Sequence, residues 1–206
     1  MQFSMLKVAV AALAVCSDVV MSQATPAQVV TNIQTLTTKS QALQGPAQSI
    51  NLSNAVQLLL GQGPMTQVIT GLTDIISTAT VFQAQMQSIA APTETEIGNI
   101  VNAFRDLSRV QQTLLNTLTA KAGIMNTLPF IGAPMAAVLR QLENALDTLA
   151  FRLIDLVGSR ATDLQSQASS LGQSLSTAIA AYSGNAGISK KRSLSRRDAF
   201  RAALRA

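Results

Sequence analysis

Histidine and tryptophan are absent from this chain, and cysteine occurs once, at Cys16. Those gaps remove whole classes of chemistry. One cysteine cannot close a disulfide within the chain. Without histidine or a second cysteine there is no Cys/His zinc site, no Cys/His nucleophile pair and no Ser-His-Asp triad. Aromatic residues are only 3% of the sequence while hydrophobic residues are 48%. A core built from such a chain is therefore aliphatic, carried by Leu, Ile, Val and Ala. Few aromatics with abundant Ala, Gln, Leu, Ser and Thr favour helices over a sandwich or barrel.

Charge is sparse and unevenly placed. The net charge is +5, yet Lys190, Lys191, Arg192, Arg196, Arg197, Arg201 and Arg205 all lie beyond Ser189. Between positions 25 and 188, seven bases face eight acids, a balance of about −1. The basic character belongs to the tail. It gives no support to a nucleic-acid-binding domain, and no nucleic-acid partner is expected.

The N-terminus is short and basic up to Lys7, then apolar from Val8 to Val15, then rich in small residues. That is the layout of a secretory signal peptide over 1–24. Ala14-Val15-Cys16 and Ser22-Gln23-Ala24 are both suitable cleavage sequences, so cleavage is expected near 16 or 24. The competing reading, a membrane anchor, needs roughly 20 apolar residues, far more than this run supplies.

The strongest periodic signal lies over 134–157. Met135, Leu139, Leu142, Leu146, Leu149, Leu153 and Leu156 recur at spacings of three and four, with Val138, Ala145 and Val157 widening the stripe. At helical pitch these residues cover one face, and no charge interrupts it. Pro134 suits a helix start and Gly158 a stop. Phe151 is out of place, projecting on the polar side.

Other helices follow the same logic. Thr25 and Pro26 open one that carries Val29, Ile33, Leu36 and Leu43 and is expected to end at Gly45-Pro46. A shorter apolar segment spans 50–60. Pro64 starts a long helix to about Ile89. Thr93 and Glu96 form a capping box before Ile97, Ile100, Val101, Phe104, Leu107, Leu114, Leu115 and Leu118, and that helix is expected to fray near 121–123. The last helix runs over about 160–183, where Ala168 and Gly172 would permit close approach. Together these predict an all-α fold, an antiparallel bundle of about five amphipathic helices over 25–184.

Residues 185–206 show no core pattern and are expected to form a basic, disordered tail. The dibasic clusters also suit proteolytic processing, and 198–206 suits a small basic amphipathic helix. Asn51-Leu52-Ser53 is an N-glycosylation sequon, with Asn51 the acceptor.

Two features then point to a family: Thr25-Pro26-Ala27-Gln28-Val29-Val30-Thr31-Asn32-Ile33 at the start of the body, and Ala178-Ile179-Ala180-Ala181-Tyr182-Ser183 at its end. With a cysteine-free body rich in Ala, Gln, Ser and Thr, the chain resembles the fungal hydrophobic surface-binding protein A family, which includes cell-wall galactomannoproteins. The resemblance implies a secreted or wall-associated glycoprotein domain that adsorbs to hydrophobic surfaces. Some relatives enclose a fatty acid. The extended basic tail departs from many members.

The leading functional reading is a secreted, non-catalytic binding module for hydrophobic surfaces or fatty-acid-like lipids, with the acyl chain between helices. The lining would come from Leu72, Ile76, Phe82, Phe104, Leu107, Leu142, Leu146, Leu149, Leu153, Leu171 and Leu175. Helical projection places Ser40, Gln83, Ser108 and Gln111 on the stripes as candidates to hold a head group by hydrogen bonds. Each of these four can equally be a stripe-edge residue reaching solvent or backbone. The alternative is a structural or adhesive cell-wall mannoprotein with a solid core, its outer contacts marked by Phe151 and Val81. Partners would be a fatty acid or other amphiphile, hydrophobic surfaces and cell-wall polymers. No catalytic residues, metal ligands or cofactor sites stand out: there is no nucleophile–base pair and no Gly-rich phosphate loop.

N-terminal sequencing of protein collected from culture medium is expected to begin after Cys16 or Ala24. An extracellular chain that still starts at Met1 would contradict the signal-peptide reading.

Overall fold

The computed structural model describes residues 24–55, 57, 62–87, 89–125 and 132–183. The expected signal peptide, apart from Ala24, lies outside these residues, as do the tail, residues 126–131 and part of the apolar segment expected over 50–60.

Helix α1 (Pro26–Ala42) begins as its sequence dictates. The Thr25 hydroxyl accepts from the Gln28 N–H at 3.3 Å, and the Gln28 side chain accepts from the Thr25 N–H at 2.8 Å. Two otherwise unpaired N-terminal donors are thus satisfied reciprocally. The helix ends in a turn at Leu43, not at Gly45-Pro46. Helix α2 (Gln44–Ser49) passes through that dipeptide. Pro46 sits in its first turn, where an N–H would have no partner anyway, so it breaks nothing. Helix α3 (Leu52–Ala55) follows, with Asn51 and Asn54 exchanging backbone-to-side-chain hydrogen bonds at 2.8 and 3.0 Å.

Helix α4 (Pro64–Gln85) stops a turn before the expected Ile89. Helix α5 (Glu94–Met125) starts on its capping box: Glu96 accepts from the Thr93 N–H and hydroxyl, both at 2.8 Å. The Thr93 N–H, then its hydroxyl, holds the Glu96 carboxyl below its usual range. This helix does not fray at Gly123. Buried Ala122 and half-buried Ile124 carry its packing face onward. Helix α6 (Gly132–Val157) begins two residues before Pro134 and ends at Gly158, whose φ of +41° suits glycine. A single 3₁₀ turn, Gly158–Arg160, leads into α7 (Ala161–Tyr182). Among the described residues every regular element is helical, and no helix is long and apolar enough to cross a membrane.

The long helices close into a ring, in the order α1, α5, α7, α6, α4 and back to α1. Cross-helix hydrogen bonds fix their directions. Asn32 meets Gln85 and Lys39 meets Asp74, so α1 and α4 run antiparallel. Glu94 meets Ser159 and Leu118 meets Tyr182, so α5 and α7 run parallel. Arg140 meets Ser183, which makes α6 antiparallel to α7. Successive helices α4 to α7 alternate in direction, as expected of a bundle joined by short connections. Around the ring, however, α1, α5 and α7 point one way, and α4 and α6 the other.

The shared interior is aliphatic. Met135, Leu139, Leu142, Leu146, Leu149, Leu153 and Val157 of α6 are all buried, as are Leu164, Leu171, Leu175 and Ile179 of α7. Phe104 is the one phenylalanine among the fully buried side chains of the described residues. Gly71 of α4 lies directly under Leu43, and a Cβ there would come within 2.3 Å of the Leu43 side chain. Gly172 has open space around it instead, so the close approach expected at that position is not made.

Tyr182 closes the end of the α5–α7 interface, donating to the Leu118 carbonyl at 2.8 Å. Burial pushes its phenol well above the ordinary tyrosine value. A phenol raised on folding contributes stability that is intact below the unfolded value, about 10, and is lost as pH rises beyond it. Tyr182 is the sole tyrosine. Absorbance titration of the folded protein should therefore show no phenolate near pH 10, with ionisation appearing only as the bundle unfolds. Tyr182→Phe should lose about 1 kcal/mol at neutral pH and show a shallower alkaline decline.

Candidate functional site

The apolar residues singled out as lining come together in one core. Nine of the eleven are 2% exposed or less; Ile76 and Phe82 are half-buried at its edge. They line the inner faces of α4, α5, α6 and α7. Periodicity alone placed them, because an uninterrupted stripe has nowhere else to go.

Inside this aliphatic ring sits a polar cluster. Ser40, Ser108 and Gln111 are each 0% exposed, and apart from the Tyr182 phenol they are the only buried polar side chains among the described residues. No charged residue is buried there. Ser108 and Gln111 lie three apart on α5 and so share a face. Ser40 comes from the last turn of α1, which packs against α5. The Ser40 hydroxyl donates to the Leu36 carbonyl at 2.7 Å. Its proton is thereby committed, and its oxygen accepts from Gln111 Nε2, also at 2.7 Å.

The rest of the cluster is unsatisfied. Gln111 Oε1 and Ser108 Oγ have no hydrogen-bond partner. Elsewhere on α5, Thr113, Thr117 and Thr119 bond the carbonyl one turn back, at 2.7–3.0 Å. Ser108 does not. An unpartnered buried polar atom costs about 1–3 kcal/mol. Two of them on residues one helical turn apart, one a hydroxyl and one a carbonyl oxygen, make a site that can bind a polar group arriving within an apolar surround.

Gln83 does not join this cluster. Its Nε2 donates to the Ala145 carbonyl at 2.7 Å and ties α4 to α6. Projection onto a helical wheel put Gln83 on the apolar stripe correctly, but not its reach to a backbone carbonyl on another helix.

A second feature was missed by the sequence reading. Met86, Gln87, Ile89, Arg152, Asp155 and Leu156 line an open cleft of about 240 Å³, where α4 ends beside α6. Arg152 Nε is buried there without a partner. Its place on the polar face of α6 gave no sign of this, because the cleft depends on where α4 stops. On the outside, Val81 and Phe151 are the large exposed hydrophobics among the described residues, at 52% and 38%. Asn51 is exposed, and its side-chain amide donates to the Ser49 carbonyl at 3.2 Å.

No family model matches the chain, and no curated protein matches it in sequence. Among solved structures it is similar in fold to AFMP4P, seen in complex with palmitic acid. That likeness has a TM-score of 0.60 and 19% identity, and covers 76% of this chain and 99% of that one.

The unsatisfied cluster gives a direct mutational signature. Ser108→Ala removes a desolvated hydroxyl with no bond to lose, so the ligand-free protein should be unchanged or up to about 1 kcal/mol more stable. Gln83→Ala should lose about 1 kcal/mol, since it leaves the α4–α6 tie unmade. Urea denaturation of the two variants checks both signs.

Proposed function

We propose that this chain is a secreted, non-catalytic carrier of fatty acids or similar amphiphiles, with the acyl chain between helices and the head group at Ser108 and Gln111. The observation that carries the reading is the pair of unpartnered polar atoms enclosed by aliphatic side chains. An aliphatic core with one uncharged, half-satisfied polar cluster matches an amphiphile's own division. The fold likeness to a protein solved with palmitic acid adds support.

Burying each methylene contributes about 0.8 kcal/mol before the costs of binding. Helices of 22, 32 and 26 residues in α4, α5 and α6 are long enough to flank an extended chain. Accommodating it requires neighbours to shift, and Met65 and Met135 in the core have the unbranched side chains that do so readily. The cluster holds no ionisable group, so Ser108 has no base to activate it, which is why we read the site as binding and not reacting. We also propose glycan attachment at exposed Asn51.

The tight burial of the aliphatic core, with Val81 and Phe151 left outside, favours a second reading: an adhesive wall protein with a solid interior. Calorimetric titration separates the two. With saturated fatty acids from decanoic to octadecanoic, affinity should rise with chain length, and Ser108→Ala should weaken it. Undetectable binding across the series, with adsorption to hydrophobic beads retained, would leave the adhesive reading.

A further inference from the structure

Resting on the carrier reading, the chemistry of the buried cluster specifies the head group further. We propose that the site takes an uncharged head group offering one donor and one acceptor, such as a protonated carboxylic acid or a primary alcohol, and discriminates against a carboxylate.

The hydrogen-bond inventory leads there. Ser40 gives its proton to the Leu36 carbonyl, so Gln111 Nε2 donates to Ser40 and Gln111 Oε1 is the buried atom left without a partner. That oxygen can only accept. Ser108 Oγ, also unpartnered, carries a proton to give. The complement of an acceptor beside a donor is a group that presents a donor beside an acceptor. A carboxylic acid does so with its O–H and C=O, and an alcohol does so with one hydroxyl. A carboxylate has no proton, so one of its oxygens would face Gln111 Oε1, acceptor against acceptor.

The electrostatic surroundings agree. On α1, Lys39 is paired with Asp74 of α4 on the exterior. Helices α2 and α3 contain no ionisable residue. On α5, Arg105 bonds Asn102, Asp106 and Arg109 are exposed, and Glu94, Glu96 and Lys121 lie towards the helix ends. Arg140, Glu143, Asp147, Arg152 and Asp155 of α6, Arg160 of the 3₁₀ turn and Asp163 of α7 are all outside the buried set. Among the described residues no cation reaches the cluster to offset the desolvation of a buried anion, which in a low-dielectric interior favours the neutral form.

Fatty-acid affinity should then follow the ligand's own ionisation. Each pH unit above the free acid's pKa should weaken binding about tenfold, because only the protonated fraction of the free ligand fits. An alcohol of the same length should bind equally across that range. A methyl ester, which lacks the donor, should bind more weakly than the alcohol.

Calorimetric titration of the folded protein with dodecanoic acid, 1-dodecanol and methyl dodecanoate, at about pH 5 and about pH 8, tests this on the ligand side, and two variants test it on the protein side. Expected are a pH-independent alcohol, an acid that weakens steeply with pH, and an alcohol-over-ester preference that disappears in Gln111→Leu. Arg152→Gln should change none of these. An acid that binds equally at both pH values and more tightly than the alcohol would overturn the proposal. Loss of that binding in Arg152→Gln or in high salt would place a carboxylate at the Arg152 cleft instead. Measurable binding of any of the three keeps the carrier reading whichever head group wins. Binding of none at either pH overturns both.

Discussion

Aliphatic burial has to hold this fold together almost unaided. No disulfide is possible within the chain, aromatic side chains are scarce, and the Lys39–Asp74 pair is exposed, where an ion pair contributes at most about 1 kcal/mol. What remains is removal of Leu, Ile, Val, Ala and Met side chains from water, at about 25 cal/mol per Å². That constraint explains the ring. Each long helix carries one wide apolar stripe, and a closed circuit gives each stripe two neighbours and a common interior. It also explains the sharp ends: Thr25–Gln28 and Thr93–Glu96 satisfy N-terminal donors that packing cannot reach.

Against this background the Ser40–Ser108–Gln111 cluster is an exception that the core sustains. Leu at 111 and Ala at 108 would suit an aliphatic interior better, since a half-satisfied polar group is worse than none. A protein that keeps such residues at its centre gives up stability there, and that trade is usual where a side chain is kept for what it binds.

Much of the helical layout was legible in the sequence. Stripes such as Leu142–Leu146–Leu149–Leu153 have one interpretation at helical pitch, and caps mark where helices begin. The failures share a cause. Gly45-Pro46 looks like a break, but its effect depends on whether proline falls in a first turn or later. Gly123 looks like a stop until Ala122 and Ile124 are seen packed. Gly71 and Gly172 look alike in sequence, yet only Gly71 has a neighbour pressed against it. Of the four polar residues on the stripes, three are fully buried together, while Gln83 is only half-buried and spans two helices. Ring order, the ending of α4 beside Arg152 and the partner of Gln83 are long-range facts, and local pattern does not encode them.

The unequal count of directions around the ring has an electrical consequence. Aligned peptide dipoles leave each helix with about half a positive charge at its N-terminus and half a negative charge at its C-terminus. With α1, α5 and α7 opposed only by α4 and α6, one helix's worth stays uncancelled along the long axis. The positive pole gathers the starts of three helices, where Glu94, Glu96 and Asp163 stand as counter-charges. The negative pole gathers the ends of α1, α5 and α7. It is from this pole that the chain continues past Tyr182 towards Lys190, Lys191 and Arg192. The most basic segment of the sequence therefore departs from the end of the bundle whose backbone field attracts cations.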